Sequence, residues 1–121
     1  MKYDYIIVGA GSAGCVIANR LSEDPSTQVL LLEAGGSDRR FFIQMPIGYG
    51  VTYHQKAVNW MYMTEPSPDA DNKPSYWPRG KVMGGSSSIN AMVYVRGNSR
   101  DFDQWSEAGN PGWSYSDVLP Y

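Results

Sequence analysis

The chain has 121 residues, 42% hydrophobic and 18% charged, which fits one globular domain and excludes a disordered segment. Its net charge is −2 with ten Lys and Arg scattered along it, so no footprint for nucleic acid or anionic lipid is present. One cysteine excludes an intrachain disulfide and a cysteine-based metal site, and apolar runs of about five residues are too short to span a bilayer.

In chain order, Tyr5-Ile6-Ile7-Val8 predicts a strand and is followed at once by Gly9-Ala10-Gly11-Ser12-Ala13-Gly14. A helix-like segment runs from Cys15 to Leu21, and Glu23-Asp24-Pro25-Ser26 marks a turn. A second strand is expected over Val29 to Leu32, closed by Glu33. Strand, glycine loop, helix, strand and terminal acid have the spacing of a dinucleotide-binding βαβ unit.

Each residue type has a physical task. Gly9 permits a tight turn off the strand. Gly11 lets backbone approach a pyrophosphate, whose charge meets the N–H groups and positive dipole end of the next helix. Gly14 leaves room for that helix to pack on the strands. Glu33 lies 19 positions past Gly14, where a carboxylate can accept hydrogen bonds from ribose hydroxyls and would repel a 2′-phosphate. This stretch alone does not separate FAD from NAD. Cys15, beside Gly14, is expected to be a small buried residue.

After Ala34-Gly35-Gly36, residues 37–40 predict a polar turn, and Phe41 to Tyr53 an ordered, partly buried loop with a helical turn. His54, the lone histidine, lies in a polar patch and reads as a solvated surface residue. Asn59 to Thr64 is strand-like, Asp69 to Lys73 reads as a hairpin tip, and Ser75 to Pro78 as the returning strand.

The second informative stretch is Gly84-Gly85-Ser86-Ser87-Ser88, with Arg79 and Lys81 upstream and Asn90 a helical turn later. Two glycines allow close backbone approach, and three hydroxyls with helix N–H groups suit an anion. Beyond it, Val93 to Val95 is strand-like. Asn98 or Ser99 caps a helix from about Arg100 to Ala108 with Gly109 as its stop, and Ser116 caps a short helix through Leu119.

Together the two glycine stretches resemble the glucose–methanol–choline (GMC) family of flavin oxidoreductases, most closely its choline dehydrogenase and alcohol dehydrogenase (acceptor) branch. The resemblance spans the whole chain. It rests on Val8 to Cys15, Leu31 to Gly35, Asn59-Trp60, Trp77 to Lys81, Gly84 to Asn90, Val93 to Gly97 and Gly109 to Trp113. It implies an α/β fold, a Rossmann-like FAD-binding βαβ unit with an incomplete parallel sheet. The chain would be the N-terminal part of the FAD-binding domain of a larger enzyme. Gly and Pro, 21 of 121 residues against an average near 12%, add loops rather than core and agree with that expectation.

By position, the resemblance puts Gly9, Gly11, Ser12, Ala13 and Gly14 at the pyrophosphate turn, Glu33 at the ribose and Ala34 beside the adenosine. Arg79, Gly84, Gly85 and Ser86 would line the middle of the cofactor. Asn90, Ala91, Met92 and Val93 would approach the flavin, and Trp60 is a further contact. Ile89 stands where some relatives carry the histidine that bonds flavin covalently, so non-covalent FAD is implied. The implied reaction oxidises a small-molecule alcohol by hydride transfer to flavin, with oxygen or a quinone-like carrier as acceptor. The catalytic histidine of the family lies far beyond this stretch, so no catalytic residue is assigned. An NAD-dependent dehydrogenase module, and a non-catalytic nucleotide-binding module, are the alternatives. No signal peptide, transmembrane segment or nucleic-acid partner is expected, and the location is taken as cytoplasmic with peripheral membrane association left open.

Overall fold

A computed structural model describes residues 2–121. Strand β1 (Tyr5–Val8) leads through the first glycine turn into helix α1 (Ser12–Leu21), which returns to strand β2 (Val29–Leu32). The strands pair in parallel, Tyr5 with Val29 through Val8 with Leu32. The helix starts three residues before its expected first residue, Cys15. Gly11 is its N-cap, and no side chain caps it. Gly9 has φ 98°, the positive region that an ordinary side chain resists. A Cβ on Gly14 would meet the Gly9 carbonyl, so close packing of helix on strand requires glycine there.

The segment after β2 is more helical than its mixed composition suggests. It forms α2 (Phe41–Gln44), a 3₁₀ turn at Pro46–Gly48 and α3 (Tyr49–Thr52). Single turns of this length are set by tertiary contact rather than propensity. A Cβ on Gly48 would strike Phe42 backbone, which marks how closely the turns fold on each other.

The hairpin forms where expected, but only β3 (Tyr62–Met63) and β4 (Tyr76–Trp77) are regular, paired antiparallel. Asn59 is excluded from β3 because Met61 adopts φ 56°, and it makes an isolated bridge to Gly80 instead. The hairpin tip carries left-handed Asp71 and Asn72, residues that tolerate that conformation.

A small core lies under the second glycine turn. Val58, Val82 and Ile89 are buried, with Ile43 packed against them. The βαβ unit by contrast leaves apolar surface open: Ile6 is 60% and Val8 84% exposed. Cys15, expected to be buried, is exposed; its Sγ donates to the Ala10 carbonyl at 3.2 Å. Val93, Tyr94 and Val95 do not form the expected strand; they are about 80% exposed with no regular structure. A strand needs a partner, and none of the described residues pairs with them.

The last unit is α4 (Ser99–Glu107), capped by Asn98, followed by α5 (Tyr115–Val118). The cap of α5 is Ser114, not Ser116. Its hydroxyl accepts from the Asp117 N–H and the Asp117 carboxylate returns to the Ser114 N–H, a capping box. Phe102 meets Trp105 and Tyr115, and Trp105 meets Trp113, which joins the two helices.

Candidate functional site

The two glycine stretches, about 70 residues apart, meet. Residues 80–84 run beside the end of β2, with Gly36 bridging Val82 in parallel. A Cβ on Gly35 would occupy the place of Lys81 and Val82 backbone. The Gly84 N–H donates to the Ala10 carbonyl at 2.8 Å, and a Cβ on Gly85 would sit 2.9 Å from the Gly11 Cα. Gly84 and Gly85 both have positive φ, 87° and 58°. The turns are thus two halves of one backbone surface, in which Gly14, Gly84 and Gly85 leave no room for a Cβ and Gly9 holds a positive φ.

Between them lies a cleft of about 620 Å³. Of the residues expected at a cofactor, Gly9, Gly11, Glu33, Ala34, Trp60, Arg79, Gly85 and Ser86 line it. Asn90 and Ala91 line an adjoining cleft of about 310 Å³ that shares Arg79 and Ser86, so the two are contiguous at those residues. Met92 faces a third hollow with Asn90 and Asp38. Ser12, Ala13 and Gly14 form the first turn of α1, and Gly84 is the N-cap of the second turn; none of the four lines a cleft. Val93 lines none of these clefts and is 78% exposed.

The lining of the cleft puts uncapped helix N–H groups near a carboxylate, chemistry that suits an anion next to a polyol. The first N–H groups of a helix have no partner within it, and at α1 they stand uncapped beside Gly11. No atom lies within 4 Å of a Cβ built on Gly11, so this backbone faces open space. The Glu33 carboxylate accepts from Ala10 N–H at 2.8 Å and Gly35 N–H at 2.9 Å. A carboxylate has about four lone-pair sites, so acceptor capacity remains after those two bonds. Glu33 therefore also ties the first glycine turn to the end of β2, a structural role its spacing did not disclose.

The three serines of the second turn, which forms a 3₁₀ turn at Gly85–Ser88, are not equivalent. Ser87 and Ser88 donate to the carbonyls of Gly84 and Met83, at 2.6 and 2.7 Å. Those hydroxyl protons brace the turn and are spent. Ser86 accepts from Gly80 N–H at 3.0 Å, keeps its own proton to give, and lines both clefts.

Asn59 is the hub that sequence reasoning missed as such. It is 1% exposed; its Oδ1 accepts from the Met61 and Arg79 N–H groups, both at 2.9 Å. Its Nδ2 donates to the Tyr53 carbonyl at 2.8 Å and to the Tyr76 hydroxyl at 3.2 Å. One amide thereby fixes the backbone on both sides of Trp60 and Arg79. The Arg79 guanidinium lies over Trp77, 4.8 Å from the ring centroid, and keeps a positive charge at the junction of the clefts. Tyr62 also lines the cleft and went unremarked; its place two residues after Trp60 on a strand-like run was the available signal. His54 is exposed, stacks on Tyr76 and lines neither cleft, in keeping with a surface role.

The family profile described as GMC oxidoreductase matches residues 3–121. The chain is 57% identical over 119 residues to oxygen-dependent choline dehydrogenase of Vibrio vulnificus, covering 98% of this chain and 21% of that protein. Among solved structures, pyridoxine 4-oxidase from Mesorbium loti matches with a TM-score of 0.85 and 39% identity, over 98% of this chain and 23% of that one. An FAD-dependent oxidoreductase from Chaetomium thermophilum matches with a TM-score of 0.77 and 38% identity, over 99% and 20%. The chain thus spans about a fifth of the length of the relatives it matches.

Proposed function

The chain belongs to the GMC oxidoreductase family, and from that premise we propose that it is the N-terminal part of the FAD-binding domain of an enzyme that oxidises alcohols. FAD, when bound, supplies the acceptor for hydride from the alcohol carbon. What this chain does is hold that cofactor. The uncapped start of α1, at Ser12, Ala13 and Gly14, stabilises the pyrophosphate, with Gly9 and Gly11 giving the backbone access. Glu33 accepts from the ribose, Ala34 borders the adenosine, and Trp60 packs against the cofactor. Arg79 and Ser86 bind the cofactor where the clefts join, backed by Gly84 and Gly85. Asn90, Ala91, Met92 and Val93 belong to the flavin end.

The observation that carries this reading is the junction of the two glycine turns, Gly84 N–H to Ala10 carbonyl at 2.8 Å. An NAD module explains the first turn and leaves the second without a task. Ile89, 6% exposed in the core, has no atom to offer for a covalent flavin bond, which favours non-covalent FAD. The catalytic base is sought outside residues 1–121. Choline is the first alcohol to test, given the name of the Vibrio relative; oxygen and a quinone-like carrier are the acceptors to compare. No helix among the described residues is long and apolar enough to cross a membrane, which suits a cytoplasmic site of action with or without peripheral membrane contact. The test is the absorbance spectrum of the purified full chain after incubation with FAD and desalting. Retained flavin absorption is expected; its absence in a folded protein would overturn the reading.

A further inference from the structure

The adjoining cleft has a wall that cofactor binding leaves without a task. Tyr49 opens α3 and Tyr53 follows four residues later, so the two rings fall on one face of the turn. Both line the cleft, 44% and 37% exposed. They are held firmly for so short a helix. Tyr53 N–H donates to the Tyr49 carbonyl at 2.9 Å, and the hydroxyl of buried Thr52 donates to it at 3.1 Å. The Tyr53 carbonyl accepts from the Tyr76 hydroxyl at 2.6 Å and from Asn59 Nδ2 at 2.8 Å. The Tyr53 ring meets His54 and Tyr76 edge to face, with centroids 4.8 and 5.1 Å away. Two aromatic rings on an anchored turn, left open to a cleft, are a surface for an apolar ligand body.

The surroundings select what that ligand is. Pro78, Ile89 and Ala91 line the same cleft and extend its carbon surface. Arg79 lines it too and carries a positive charge, beside which a cationic ligand is disfavoured. Glu33 and Ala34 line the main cleft only, so the two rings lie past the ribose contacts, beyond Arg79 and Ser86. Resting on the reading above of an alcohol-oxidising FAD enzyme, we propose that Tyr49 and Tyr53 form the wall of the alcohol site that touches the carbon body of the substrate. The substrate class is an uncharged alcohol with a flat or apolar body. The two rings determine specificity through contacts made alike in the bound substrate and in the transition state, so their effect falls on KM rather than kcat.

The test uses the full-length flavoenzyme with benzyl alcohol, ethanol and choline as substrates. The unaltered protein, Tyr49→Ala/Tyr53→Ala and Tyr49→Phe/Tyr53→Phe are compared, with bound flavin read by absorbance in each. The kcat/KM ratio of benzyl alcohol to ethanol should fall about 10-fold or more in the alanine variant, because two aromatic contacts and the area they bury are lost. The fall should come from a higher KM for benzyl alcohol at little-changed kcat. The phenylalanine variant keeps both rings and should keep most of the ratio. A ratio unchanged in the alanine variant would overturn the wall. So would equal loss in both variants, or loss of flavin from the alanine variant, which would assign the rings to the fold or to the cofactor. An unaltered enzyme that prefers choline to benzyl alcohol would overturn the substrate class. One that holds no FAD sinks the reading on which the wall rests, whereas one that holds FAD and oxidises alcohols with no change of ratio among the variants sinks the wall alone.

Discussion

Gly11→Asp pulls folding and cofactor binding in opposite directions, which makes it the sharpest test of how the first glycine turn works. Gly11 is the N-cap of α1 with φ −77° and ψ −172°, an extended conformation that aspartate adopts readily. No atom lies within 4 Å of its Cβ position, so the side chain fits. Aspartate is among the best N-cap residues, a few tenths of a kcal/mol better than glycine. The cofactor-free protein should therefore melt at the same temperature or slightly higher. The same carboxylate would stand where the pyrophosphate is bound. Two unit charges about 4 Å apart at an effective dielectric near 20 repel by about 4 kcal/mol, or roughly a thousandfold in affinity. Gly11→Asn has the same shape and no charge, so it isolates the steric part. FAD affinity by flavin fluorescence and melting by scanning fluorimetry are the two assays. The aspartate variant should bind far more weakly than the asparagine variant, with a gap that narrows as salt is raised. Equal affinity of the two variants would refute the electrostatic argument. Unaltered affinity in both would refute the placement of the pyrophosphate at Gly11.

Asn59→Leu should be among the most damaging single changes, since it strands the Met61 and Arg79 N–H groups, while the Tyr53 carbonyl keeps its bond from the Tyr76 hydroxyl. Each unsatisfied buried group costs about 1–3 kcal/mol, so a loss of about 2 kcal/mol or more is expected in urea denaturation. Two glycine replacements should differ in sign. Gly35→Ala drives a Cβ into Lys81 backbone and should destabilise by about 1–3 kcal/mol. Gly50→Ala, in α3 with nothing within 4 Å, should stabilise by about 0.5–1 kcal/mol. Thermal melts of the pair check both. Asp24 accepts from the Ser26 hydroxyl at 2.7 Å and from the Ser26 N–H at 2.9 Å, which hold its carboxyl below the ordinary range. A depressed native value stabilises the turn above the unfolded carboxyl value, and that contribution fades as pH falls through the native one. NMR titration should find Asp24 low and Ser26→Ala should raise it.

Much of this molecule was legible where local rules act alone. The βαβ unit from Tyr5 to Glu33 follows from period, turn residues and glycine spacing, each fixed by backbone sterics within a few residues. Gly9 with its positive φ and Gly14 with no room for a Cβ are the same demands read at atomic scale. The hairpin was visible for the same reason, as was a cap at Asn98 or Ser99, of which the structure uses Asn98. Less visible was the series of helical turns from Phe41 to Thr52, because single turns draw their stability from what they pack on. Ser116 was expected to cap α5, and the reciprocal bond with Asp117 sets the cap at Ser114 instead.

Sequence alone thus determined the identity of the two glycine turns, their family resemblance and the residue types that an anion and a ribose require. It could not determine that the turns touch, because contact between Gly11 and Gly85 depends on a parallel bridge between residues distant in the chain. Nor could it assign Glu33 two backbone amides, make Asn59 the hub behind Arg79, or set the rings of Trp60 and Tyr62 parallel in one cleft. Those properties are decided by which donors and surfaces three-dimensional packing leaves within hydrogen-bond or van der Waals reach. A residue's type limits what it can do, and only its neighbours in the fold settle which of those things it does.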